Sequence, residues 1–137
     1  MSRAVQFFNA HDLAVLKADV DAWFVTQPNI RLINVGFLAR DIIATRGLEL
    51  ALSIQYDDGG ALLTDPFTLE TFPAQTPAEL HASILDWIAL NPTAFIGGPL
   101  IDYLGQRRRL NDYIAIIITN TSEAEGNAAW LVNQSLP

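Results

Sequence analysis

Residues 76–113 decide the fold, because their opening segment TPAELHASILDWIALNP (76–92) repeats the pattern of DLAVLKADVDAWFVTQP (12–28). Trp23 coincides with Trp87, an offset of 64 (87 − 23), and Pro28 coincides with Pro92. We therefore interpret the chain as one domain, residues 1–137, made of two copies of one unit, 4–64 and 65–133. The same gapless alignment matches Phe8 with Phe72, Leu16 with Leu80, Ala51 with Ala115 and Ile54 with Ile118.

One helix is predicted in each copy, because apolar residues recur there at helical spacing. The second helix has the clearer start: Thr76 is suited to cap it, Pro77 to its first position, and Glu79 to a bond back to the Thr76 amide. The apolar stripes comprise Leu13, Leu16, Val20, Trp23 and Phe24 in the first copy, and Leu80, Ile84, Trp87 and Ile88 in the second.

The remaining segments predict strands, so that each copy reads strand, helix, strand, strand and a short returning arm. Gly97-Gly98-Pro99 interrupts residues 94–104, which are either a bulged strand or a loop. The turn residues at 57–60 predict a hairpin into 61–63, and 128–132 is the equivalent arm. Residues 48–56 alternate apolar and polar, whereas 113–119 are apolar on both faces, which predicts a central position or a partner. The other predicted strands are residues 5–8, 30–37 and 67–72.

One such unit is too small to cover its own apolar face, but two units can share a sheet. The predicted fold is therefore an α+β two-layer sandwich with internal pseudo-twofold duplication. Its sheet is mostly antiparallel and carries both helices on one face. The opposite face of the sheet is then solvent-exposed or an interface.

Composition excludes several functions. Eight Lys and Arg residues against 15 Asp and Glu give a net charge of −7, which argues against binding to duplex nucleic acid or to an anionic membrane. The absence of cysteine excludes disulfides, thiolate metal sites and cysteine nucleophiles. No secretory signal opens the sequence, and no apolar run is long enough to cross a bilayer, so we expect a cytoplasmic protein.

The apolar pattern resembles a known group of small proteins. It runs from residues 5–8 through the helix ending at Trp23-Phe24 to the strands at 30–35 and 50–56. This pattern is similar to the very short sporulation-associated proteins of Bacillus and their relatives in phage genomes. The similarity covers residues 5–58 and, more faintly, 69–120, and this chain differs by having two copies. The resemblance implies a phage or prophage accessory protein in the host cytoplasm, and it implies no catalytic residue.

Residues suited to catalysis or cofactor binding are few. His11 and His81 occupy non-equivalent positions and are both expected at the surface, and they do not make a recognisable metal site. Asp57 and Asp58 are better explained by a turn than by cation binding, since the calcium-loop pattern is missing. Pro99 removes an amide where a phosphate loop would need one. We predict a protein that is not an enzyme and uses no cofactor or metal.

The basic residues suggest a ligand site. Arg107, Arg108 and Arg109 are three of only eight basic residues, and they cluster in one connector. The equivalent connector of the first copy is predicted to hold Arg40 and Arg46. Guanidinium groups bind phosphate or carboxylate in bidentate fashion, although a solvated loop is the alternative interpretation.

Aromatic and glycine residues near these connectors complete the predicted ligand site. Phe95, Tyr103 or Tyr113 could stack on a base. Gly97 and Gly98 could let a ligand or a second backbone approach the sheet closely.

Two interpretations of function follow. In the first, a non-catalytic homo-oligomer sequesters a small anionic, nucleotide-like ligand between its connectors. In the second, the protein is a protein–protein interaction or virion assembly module without a small ligand, and the apolar face around Ile117 and Phe95 is the assembly surface. A hydrolase acting through His11 or His81 is the least favoured alternative.

Overall fold

The computed structural model describes residues 3–42, 47–104 and 113–130. The described residues are α+β, with two three-stranded antiparallel sheets and three helices. In chain order the elements are β1 (Arg3–Ala10), α1 (Leu13–Val25), β2 (Arg31–Ile42), β3 (Gly47–Asp57), β4 (Thr68–Ala74), α2 (Pro77–Leu90), β5 (Phe95–Tyr103), β6 (Tyr113–Asn120) and α3 (Glu123–Ala128).

The two halves of the chain have the same strand arrangement. The first sheet has the order β1-β3-β2 and the second β4-β6-β5, so that each half places its last strand in the middle. The second strand of each half is irregular, with a shift in pairing between Leu32 and Asn34 in β2 and between Gly97 and Leu100 in β5. The sequence predicts one sheet shared by both halves, and the structure has two.

Helix α1 explains why the sheets are separate. Its side chains Leu16, Val20 and Phe24 are fully buried. They belong to one apolar cluster that also contains Leu52 from the first sheet and Ile116 from the second. Because α1 shares its apolar side with both sheets, the two halves enclose the helix and do not extend a single sheet.

Helix α2 lies on the other face of the second sheet. Leu80 of α2 is buried in a smaller cluster with Phe72, Ala115 and Ile117, whereas Ile116 belongs to the cluster of α1. Successive residues of a strand point to opposite faces, so the cluster that contains α1 and the cluster of α2 lie on opposite faces of β6. This placement differs from the predicted arrangement of both helices on one face.

In the structure, the third strands of the two halves correspond at an offset of 63 residues, one fewer than the 64 of the gapless alignment. Phe8 pairs with Leu52, and Phe72, its match at offset 64, pairs with Ala115, an offset of 63 (115 − 52). A shift of one residue exchanges the two faces of a strand. The residues equivalent to the inward face of β3 are therefore Ala115 and Ile117, not the isoleucines at 114, 116 and 118.

The position of β6 is the one that its composition predicts. Ile114, Ile116, Ile117 and Ile118 are at most 1% exposed, so both faces of this central strand are covered. At one end of the strand, the Thr119 hydroxyl lies 2.8 Å from that of Thr68, and the Asn120 amide donates to the Asp65 carbonyl at 2.9 Å.

The predicted start of the second helix is confirmed, with one change in detail. Asp12 caps α1, accepting from the Ala14 and Val15 amides. Thr76 caps α2 by accepting from the Glu79 amide. The Glu79 carboxylate, however, accepts from the amide of Gln75 and not from that of Thr76.

The predicted returning arms are wrong. Residues 61–63 form no strand, because the Gly60 and Leu63 amides donate to the carbonyls of Asn29 and Pro28 and hold this segment beside the α1–β2 loop. In the second half, residues 123–128 form helix α3, which Ser122 caps. The following residue, Ala129, accepts from the Leu32 amide, so this segment lies against β2. Residues 131 and 132 lie outside the described residues.

Helix α1 also closes the outer edge of β4. The Asp21 carboxylate accepts from the Leu69 amide at 2.7 Å, and the Lys17 ammonium donates to the Leu69 carbonyl at 2.6 Å. Lys17 also pairs with Asp21 and Glu70 at 2.9 and 3.1 Å. Partial burial acts to lower the pKa of Lys17, but its hydrogen bonds to the two carboxylates outweigh that effect and raise it. Pro73, further along β4, has no amide proton to leave unpaired.

We expect Asp21→Ala to destabilise the protein by about 1–3 kcal/mol, because the Leu69 amide loses its acceptor and Lys17 loses a counter-ion. Urea unfolding measures this loss. Asp19→Ala is the matched control on the exposed side of the same helix, and it should change the free energy of unfolding by less than about 0.5 kcal/mol. Equal effects of the two substitutions would contradict the role of Asp21 at this edge.

Candidate functional site

The outer face of the first sheet is not covered by the other described residues, and we call it the open face. Three rows of side chains cross it: Val5–Gln55–Asn34, Phe7–Ser53–Gly36 and Asn9–Ala51–Leu38. Charged residues lie at both ends of these rows, with Arg3, Asp57 and Arg31 at one end and Glu49 and Arg40 at the other.

Apolar side chains project from both sides of the open face. Phe7 is 74% exposed and Val5 is 50% exposed on β1, and Leu38 is 54% exposed on β2. Small residues lie between these side chains. Ser53 is on the middle strand, and Gly36 beside it on β2 has no room for a side chain, since a Cβ atom there would lie only 2.9 Å from the Ser53 hydroxyl oxygen. The open face is therefore a shallow trough between Phe7 and Leu38.

An ion pair fixes one end of the open face. The Arg31 guanidinium donates to both carboxylate oxygens of Asp57 at 2.9 Å, and the Gly59 amide donates to one of them. The hydrogen bonds from Arg31 lower the pKa of Asp57, with a smaller contribution from Gly59, although desolvation acts in the opposite direction. The same pair raises the pKa of Arg31. This arrangement keeps Asp57 ionised although its side chain is buried.

The other end has a more exposed ion pair, in which Arg40 donates to the Glu49 carboxylate at 2.6 Å. Arg3, Arg31 and Arg40 are three of the four basic residues in the described part of the chain, and all three lie on the open face. A protein of net charge −7 therefore places most of its described positive charge on one surface.

The second sheet has no comparable open face. The cluster of α2 covers one face of β6 and the cluster of α1 covers the other. As a result Ile117 is fully buried and Phe95 is 4% exposed. The predicted assembly surface around these two residues is therefore wrong, because helices and sheet of the same chain already cover it.

The predicted ligand residues do not come together in the described part of the chain. Arg40 lies within β2 and not in a connector, since that strand runs to Ile42. Tyr103 is 48% exposed and its ring lies 4.8 Å from that of Tyr113. Arg46, Arg107, Arg108 and Arg109 lie outside the described residues.

Phe95 and the two glycines are part of the packing around α3. The Phe95 ring lies 5.7 Å from Trp130, and a Cβ atom on Gly97 would lie 2.8 Å from the Trp130 ring. Gly97 thus admits a side chain from the end of the described chain. Gly98, with φ of 109°, lies in the irregular part of β5, where a positive φ favours glycine.

Other candidate sites carry little chemistry. A shallow depression of about 290 Å³ beside β5 is lined by residues that include Glu123, Asn91 and Asn127, and no basic residue lines it. His11 and His81 are both exposed as predicted, and the His11 ring lies 2.8 Å from the Leu48 carbonyl. Residues 3–42, 47–104 and 113–130 contain no cluster of three potential metal ligands. None of the helices in these ranges is both long and apolar enough to cross a membrane.

The sequence interpretation expected one sheet face to be solvent-exposed or an interface but did not assign that face to the first half, although one signal was present. Phe7 and Phe8 are adjacent in a strand, and adjacent strand residues point to opposite faces. Phe8 packs against Trp23 of α1, with ring centroids 5.7 Å apart, so Phe7 has to point outward. Two consecutive aromatic residues in an edge strand therefore indicate either a second layer or an exposed surface.

Comparison with known proteins adds no relative: no family model, curated protein or solved structure matches the chain.

The Asp57–Arg31 pair predicts a defined pH dependence. Because the pKa of Asp57 is lower in the folded than in the unfolded protein, its contribution is present above the unfolded-state value of about 3.9. That contribution is lost as the pH falls through the folded-state pKa. The difference in unfolding free energy between the wild type and Asp57→Asn should therefore be largest near neutral pH and shrink below about pH 4.

Urea unfolding across this pH range measures the difference, with Asp58→Asn as the control at the exposed neighbour. A difference for Asp57→Asn that stays constant with pH would contradict the ionised pair.

Proposed function

We propose that this protein is a non-catalytic interaction and assembly module that associates with a second copy through its first sheet. The observation that carries the proposal is the 74% exposure of Phe7 on a sheet face that no described residue covers. The central strand of the second sheet, in contrast, is covered on both faces. An exposed apolar surface rimmed by polar residues is typical of protein–protein contacts.

We also propose that the fold arose by duplication of one unit. Each unit is a two-layer arrangement of a sheet and its helix. Both halves have the element order strand, helix, strand, strand and the same strand order in their sheets. A phage or prophage setting and a cytoplasmic location stay proposals that rest on the resemblance and on the sequence.

Substitution of Phe7 tests the assembly proposal. Phe7→Lys should weaken self-association at least about tenfold, or about 1.4 kcal/mol, because it replaces a large exposed aromatic side chain at the proposed contact with a charged one. Sedimentation equilibrium of the untagged protein measures the association constant.

Leu62→Lys is the matched control, since Leu62 is 76% exposed but lies in the β3–β4 connection and off the sheet. A wild-type protein that stays monomeric up to about 100 μM would refute the proposal. Its free energy of association would then be less favourable than about −5.5 kcal/mol. An unchanged association constant for Phe7→Lys would refute the role of the open face.

A second candidate function is the binding of a small anionic, nucleotide-like ligand. The concentration of Arg3, Arg31 and Arg40 around the exposed Phe7 ring favours it, because arginine binds phosphate and an aromatic ring stacks on a base. Both Arg31 and Arg40 already bind carboxylates of this chain. An anionic ligand would have to compete with these carboxylates, so we rank this function second.

Native mass spectrometry of gently purified protein tests the ligand proposal through a mass excess that is lost on denaturation. Arg40→Ala should abolish this excess if the ligand lies on the open face. The double substitution Arg108→Ala, Arg109→Ala should abolish it if the ligand depends on the arginine-rich connector. The absence of any mass excess in the wild type, or its persistence in both variants, would contradict the assignment of the ligand to these arginines.

A further inference from the structure

The first sheet has an edge at β1 that is closed by nothing in the described part of the chain. The other sheet edges differ from it. Asp21 and Lys17 close β4 at Leu69. The Ala129 carbonyl and the Asp102 carboxylate bind the Leu32 and Ala39 amides of β2. Pro99 and the shift in pairing between Gly97 and Leu100 interrupt β5.

The hydrogen bonds of β2 reveal which groups of β1 face outward. Residues of an antiparallel strand direct both backbone groups to the same side, and the direction alternates along the strand. The Ala39 amide points away from β3, so its pair partner Leu50 directs its groups toward β1, where it pairs with Ala10. The even-numbered residues of β1 therefore bond to β3.

The odd-numbered residues of β1, which are Arg3, Val5, Phe7 and Asn9, consequently direct their amides and carbonyls to the open edge. No acceptor or donor among the described residues meets these groups. The Leu48 carbonyl supports this assignment, since it also points to the β1 side and accepts from the His11 ring just beyond the end of β1.

We propose that β1 pairs in antiparallel fashion with β1 of a second copy across a twofold axis. The two three-stranded sheets then form one six-stranded sheet. This inference rests on the proposed function for its partner, a second copy, and places the contact at the β1 edge beside Phe7, where the open faces of the two copies continue into each other. Unpaired strand edges commonly recruit another strand, and β1 is eight residues long without proline, lysine or a bulge, the features that usually prevent such pairing.

The side chains of β1 select the register. Placing Gln6 on the twofold axis sets Val5 opposite the partner's Phe7 and Arg3 opposite the partner's Asn9, so all residues from 3 to 9 are paired. An aromatic residue opposite a β-branched one is a favourable cross-strand pair. A register with Phe7 on the axis would instead place Arg3 opposite His11, which lies beyond the strand.

In the proposed dimer, the same twofold axis also brings the exposed apolar side of α1 close to that of the second copy. Trp23 of α1 packs on Phe8 of β1, so α1 lies beside this edge and meets its copy in the dimer. The side of α1 away from the core carries Val15, 50% exposed, and Val25, 66% exposed, with the exposed small residues Ala18 and Ala22 between them. Small side chains permit close approach of two helices, so the sheet and the helix layer present a self-complementary surface together.

A single cysteine tests the register, since the chain has no cysteine of its own. Directly opposite residues of a non-hydrogen-bonded antiparallel pair have Cα atoms about 4.5 Å apart, which a disulfide can bridge. Gln6→Cys should therefore give a covalent dimer on mild oxidation. Asn34→Cys, an exposed position of the open face on the far strand β2, should not.

Amide hydrogen exchange of the wild-type protein is the second measurement and needs no substitution. On going from dilute to concentrated protein, exchange should slow at least about tenfold at Val5, Phe7 and Asn9, whose amides become paired. It should stay unchanged at Gln6 and Phe8, whose amides already bond to β3.

The outcomes separate the two proposals. A self-associating wild type without the alternating exchange pattern and without a Gln6→Cys dimer overturns the edge pairing but leaves the assembly function standing. A covalent dimer of Asn34→Cys that forms as readily as that of Gln6→Cys also overturns it. A monomeric wild type overturns both.

Discussion

The burial of helix α1 from two directions is the constraint on which the rest of the structure depends. Its apolar side belongs to the core of both sheets, and its polar side, through Lys17 and Asp21, completes the hydrogen bonding of β4. The helix thus joins the halves and protects one sheet edge from other strands. A helix with only an apolar stripe could do the first but not the second, because the backbone of an edge strand needs polar partners.

This arrangement makes the two halves unequal although they share a strand order. One face of the middle strand of the second sheet belongs to the cluster of α2, the other belongs to the larger cluster that includes α1, and the strand is apolar on both faces. The first sheet has its helix on one face only, and its middle strand keeps Ser53 and Gln55 on the other. In the proposed function, the half with the exposed face therefore carries the interaction with a second copy.

The sequence predicted much of the local structure, because the cap of the second helix and the strand alternation depend on neighbouring residues. For residues 94–104 it offered the bulged strand as one of two alternatives. It missed the returning arms, since the turn at 57–60 leads into a segment held by the carbonyls of Pro28 and Asn29, far away in sequence. It also placed Phe95 at a ligand site although Trp130 and Gly126 cover that ring. Which aromatic residue stays exposed is decided by how the layers stack, and the pattern within one strand does not contain that information.

Because both faces of β6 are buried, hydrophobicity does not fix the register in which this strand pairs with its neighbours. In β3 a slip by one residue would bury Ser53 and Gln55 and expose Leu52 and Ile54, so hydrophobicity alone forbids it. In β6 the same slip exchanges one isoleucine for another and costs little apolar burial. The groups that distinguish the correct register are then polar. The Thr119 hydroxyl bonds to that of Thr68, and the Asn120 amide donates to the Asp65 carbonyl. Two hydrogen-bonding side chains at the end of an apolar strand therefore specify its pairing register.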